Sequence, residues 1–158
     1  MGSLDQLNRS VLDAIHSGRI GQPVFVRCIA SSATGRQAGL AILLDLAASA
    51  RQLVGSSIHR LYASESPDRE QMTLTVQFQG GATALISTVS AGPSGPVLDV
   101  LVLGNHGAIY CDRYDSMADR ETLDAPPPDP ARDPALRRAI EAAIQSGKPQ
   151  TVRAEDQP

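Results

Sequence analysis

The sequence predicts an α+β fold: a mostly antiparallel open sheet of five or six strands, with about three helices on one face. Three observations carry this. Apolar residues recur at helical spacing near both ends and with a period of two through the middle. The connections between the middle segments are too short for crossovers, which favours a meander. One strand, "VLDVLVLG", is apolar on both faces except at Asp99, the pattern of a strand covered on both sides. At 158 residues the chain fits one domain, read as residues 1–158.

Ser3-Leu4-Asp5-Gln6 fits a capping box. Leu4, Leu7, Val11, Leu12 and Ile15 then follow helical spacing to a stop at Gly18. "PVFVRCIASS" (Pro23 to Ser32) reads as a strand by its β-branched content. "AILLDLAASARQLVG" lies in a second helix, roughly Gly39 to Val54. Strands follow at "SIHRLYASE", "QMTLTVQF" and "ATALISTVS", the last two joined by a turn at Gln79-Gly80-Gly81. After "AGPSGP", "VLDVLVLG" turns at Gly104-Asn105-His106-Gly107 into "AIYCD". Residues 113–133, with Pro126-Pro127-Pro128, suit an extended surface strap. Asp133 caps a last helix, 134–146, with Pro134 at its first position and Gly147 as its stop.

Three helices can cover one face of such a sheet but hardly two. A bare second face would exceed the few hundred Å² of apolar patch usual for monomers. The sequence therefore predicts a homo-oligomer, a dimer or a tetramer, joined through the open sheet face. A strap folded over that face is the alternative.

The formal net charge of −3 offers no basic surface to nucleic acid or anionic lipid. Two Phe, three Tyr and no Trp make base-stacking platforms scarce. No apolar run approaches membrane-spanning length and the N-terminus lacks an apolar signal core, so a cytoplasmic protein is expected. Cys28 and Cys111 are expected to be reduced, buried thiols. His16, His59 and His106 lack metal-ligand spacing, so no metal is expected.

Four phrases together resemble the C-terminal domain of the Gfo/Idh/MocA oxidoreductases. "AIHSGRIGQPVFVR" resembles its opening segment and "TLTVQFQGGATALISTVS" its central hairpin. "VLVLGNHGAIYCDR" resembles the next hairpin and "LRRAIEAAIQSGKPQTV" its closing helix. The resemblance covers roughly residues 4 to 152. It implies that the chain begins where the second domain of such an enzyme begins, without the N-terminal Rossmann domain that supplies the dinucleotide loop and a catalytic lysine. These residues hold no GxGxxG, since "GRIG" and "GNHG" have neither the spacing nor the context. No cofactor is therefore expected on this chain. NAD(P) would enter only with a separate Rossmann-domain partner.

In the family the second helix carries Asp-x-Gly-x-His with a further Asp three residues on. Aligned on Asp45, those positions hold Ala47, Ser49 and Gln52. Oxidising an alcohol needs a base near neutrality, which His can be and an unassisted Ser hydroxyl cannot. The site is read as catalytically inactive, with no catalytic residue. Asp45, Ser49 and Gln52 share one helix face and, with Arg27, are candidates for a vestigial ligand-binding pocket, Arg51 being another possible neighbour. The expected function is a non-catalytic, self-associating assembly, scaffold or regulatory module. The alternatives are a subunit of a split NAD(P)-dependent oxidoreductase acting on a sugar-like substrate, a small-molecule binding protein, and a fragment of a longer product.

Overall fold

The computed structural model describes residues 2–32, 35–90, 97–113 and 133–153. Along the chain run α1 (Gly2–His16), β1 (Pro23–Ser32), α2 (Arg36–Val54), β2 (Ile58–Glu65), β3 (Gln71–Phe78) and β4 (Thr83–Ser90). They are followed by β5 (Leu98–Gly104), β6 (Ala108–Arg113), α3 (Pro134–Ser146) and β7 (Gln150–Thr151). The strands form one sheet in the order β6-β5-β1-β4-β3-β2-β7.

The sheet is mostly antiparallel, as expected, but mixed. β1 runs parallel to β4, and every other pairing is antiparallel. It also has seven strands rather than five or six, because Gln150–Thr151 pairs with Arg60 and Leu61 at the β2 edge. Two residues carry too little periodicity to register as a strand in sequence. α1 starts at Gly2, ahead of the expected Ser3 cap, whose side chain lies outside the described residues. α2 begins three residues earlier than Gly39, at Arg36. The segment "AGPSGP", residues 91–96, and most of the expected strap, residues 114–132, lie outside the described residues.

Strand side chains alternate between two faces. On the inner face Val26, Cys28, Leu74, Val76, Ile86, Val100 and Val102 join one core with Leu40, Leu43, Leu46 and Leu53 of α2. Leu136, Ile140 and Ala143 of α3 and Val11 of α1 complete it. Among the described residues all three helices serve this one face. α3 takes the expected Asp133 cap, the carboxylate accepting from Leu136 N–H at 2.9 Å, and ends at Gly147 in the left-handed conformation.

Candidate functional site

α2 is the element on which the sequence placed a pocket, and its packing decides what that face can do. Ser49 and Asn8 are both buried, and the Ser49 hydroxyl donates to Asn8 Oδ1 at 2.6 Å. The group standing at the expected base position is therefore consumed in joining α2 to α1. Ala47 sits in the core at 1 % exposure, so its methyl packs into the interior. Asp45 is partly buried and engaged with a neighbour, while Gln52 is exposed. Arg51 pairs with Asp133 across the α2–α3 junction at 3.7 Å.

Arg27 is not brought to this face. It alternates with the buried Val26 and Cys28 and so points from the opposite side of the sheet. The proposed grouping of Asp45, Ser49, Gln52 and Arg27 is thus split by the sheet itself. Asp45 and Gln52 share a helix line with Ser49, but Ser49 already has its partner.

The described N-termini of α2 and α3 each have a carboxylate close by. At α2 the first residue, Arg36, is tied to Glu65 at 2.9 Å. At α3 the Asp133 carboxylate already occupies the end. Among the described residues no three His, Cys, Asp or Glu side chains gather to hold a metal ion.

The polar cluster that the sheet does build lies on its outer face. Arg27 Nη2 meets Asp99 Oδ1 at 3.0 Å, and the Tyr110 hydroxyl donates to Asp99 Oδ2 at 2.8 Å. The Arg27 and Asp99 side chains are 33% and 17% exposed, and Arg27 Nε is buried with no hydrogen-bond partner. Asp99 thus meets the cation that an acid among apolar strand residues calls for. The signal in sequence was one lone charge of opposite sign in each of two apolar strands, but only the β1–β5 register places them together.

Cross-strand pairing lines the outer face in rows. One row runs Tyr110, Leu101, Arg27, Leu85, Thr75, Tyr62 from β6 to β2. The face is divided laterally. Over β6, β5 and β1 it carries Tyr110, Leu101, Leu103, Phe25 and Ile29 around the ion pair; over β4 Leu85 alternates with Thr83 and Ser87; and over β3 and β2 it carries Thr73, Thr75, Gln77, Arg60 and Ser64 with the exposed Tyr62. The apolar side chains gather mainly on β5 and β1, with Leu85 of β4 and Tyr110 of β6 beside them, so the second apolar face expected from "VLDVLVLG" is narrower than the sheet.

No protein-family model matches the sequence, and none of the curated proteins does. Solved structures do match in fold. Myo-inositol 2-dehydrogenase from Lactobacillus plantarum superposes with a TM-score of 0.71 at 12% identity, over 92% of this chain and 61% of that one. Myo-inositol dehydrogenase from Corynebacterium glutamicum ATCC 13032 gives a TM-score of 0.65 at 13% identity, over 96% of this chain and 61% of that one. Scyllo-inositol dehydrogenase from Lactobacillus casei, solved with bound NAD(H) and scyllo-inositol, gives 0.59 at 14% identity, over 68% of this chain and 40% of that one. The chain spans about three-fifths of the length of the first two enzymes. It has the fold of the C-terminal region of Gfo/Idh/MocA-type dehydrogenases.

Proposed function

We propose that this chain is a non-catalytic, self-associating relative of the dehydrogenase second domain, an assembly or scaffold module joined through its outer sheet face. One observation carries the reading: an outer sheet face that no described helix covers, with Phe25, Ile29, Leu85, Leu101 and Leu103 grouped on β1, β4 and β5. At about 4.8 Å between strands and about 3.3 Å per residue, the part of the face from β6 to β4 measures roughly 450 Å². This lies within the range of about 300–600 Å² for the largest patch on a monomer, a patch that is often functional. The whole six-strand face, roughly 650 Å² by the same spacing, approaches the ~800 Å² each partner commonly contributes to a stable complex. An apolar centre with a polar flank is the usual anatomy of such a surface. The committed Ser49 hydroxyl supports the non-catalytic part, because it leaves the expected base position without a free group.

Light scattering coupled to size exclusion at micromolar concentration tests this. A dimer or tetramer is expected, and Leu85→Lys should dissociate it while leaving the circular dichroism of a folded chain, with a thermal midpoint that no longer depends on protein concentration. A stable wild-type monomer rejects the reading.

The likeness to dehydrogenases favours a second reading, in which the chain is one subunit of a split NAD(P)-dependent oxidoreductase acting on a polyol. Asp45, partly exposed on α2, would then touch substrate. Affinity capture should recover a nucleotide-binding chain, and Asp45→Ala should abolish the joint activity. Recovery of none, or an unchanged activity, counts against it.

A further inference from the structure

We draw no further inference here: the strongest candidate, the N-terminal end of α2 with the buried, unpartnered Thr88 hydroxyl beneath it, is a helix terminus alone, because that hydroxyl is sealed where Gly39 packs on Met72 and does not open on the helix end.

Discussion

Ser49 on α2 donates its hydroxyl to Asn8 Oδ1 on α1 at 2.6 Å, both residues being buried. Removing the hydroxyl leaves the Asn8 carbonyl without its donor in a dry junction. Ser49→Ala should therefore lower stability by about 1–3 kcal/mol in urea denaturation. Adding Asn8→Leu should recover part of the loss, since the orphaned polar group goes too. Ser49→His, which restores the residue type of the dehydrogenase motif, should destabilise rather than activate, because an imidazole has no room between the helices.

Gly104 ends β5 where the turn at residues 105–107 docks on the segment after α1. His106 N–H donates to Ile20 O at 3.0 Å and Asn105 N–H to Gln22 O at 3.1 Å. A Cβ at Gly104 would stand 2.0 Å from the Ile20 carbonyl oxygen, which is backbone and cannot swing aside. Gly104→Ala should cost more than about 2 kcal/mol. Gly80→Ala is the control: its nearest neighbour, Ser56 Oγ, is 3.9 Å away, so a change within about 0.5 kcal/mol is expected. Equal midpoints for the two variants would contradict the docking of this turn.

Local chemistry was legible in this sequence; long-range pairing was not. Asp133 with Pro134 and Gly147 announced both ends of α3, because capping is a matter of adjacent residues. The alternation of Met72, Leu74, Val76 and Phe78 announced β3 and its buried face. Nothing local distinguishes a meander from a sheet in which β1 lies between β4 and β5, so the parallel β1–β4 pair came only from the structure. Asp99 could be seen to need a partner, but Arg27 lies 72 residues away, and Arg27 was assigned instead to the pocket on the opposite face. Ser49 was read as a lost base; that it is a buried interhelical contact depends on a residue 41 positions distant.

Asp133 serves two elements. Its Oδ1 caps α3 and its Oδ2 approaches Arg51 of α2 at 3.7 Å, while its backbone holds φ at 50°. Asp133→Ala loses the cap and the ion pair but keeps the strained backbone, and should cost about 1–2 kcal/mol. Asp133→Asn retains an acceptor for Leu136 N–H and tolerates a left-handed backbone better than most residues. It should lose well under half as much. Denaturation midpoints of the two variants check this, and equal losses would assign the effect to charge alone.

Cys28 and Cys111 lie on either side of Val100 in one cross-strand row. Two strand spacings hold their backbones about 10 Å apart, beyond the ~7 Å that a disulfide spans. Neither is in a disulfide, and Cys111 is only partly buried where a buried thiol was expected; mass spectrometry after denaturing alkylation should find two labels without prior reduction. Burial, with Asp99 nearby as the lesser cause, pushes the Cys28 thiol from 9.0 up to about 12. Because the folded value is raised, the folded chain keeps its proton where the unfolded chain has lost it. The contribution of this thiol to stability is complete below pH 9 and declines as pH rises from 9 towards 12, by up to about 1.4 kcal/mol per pH unit. Cys28→Ala should remove that part of the alkaline loss, so wild-type and variant stabilities converge as pH increases. Native-state alkylation at pH 8 should leave Cys28 unlabelled; rapid labelling would show that the strand beneath α2 opens readily.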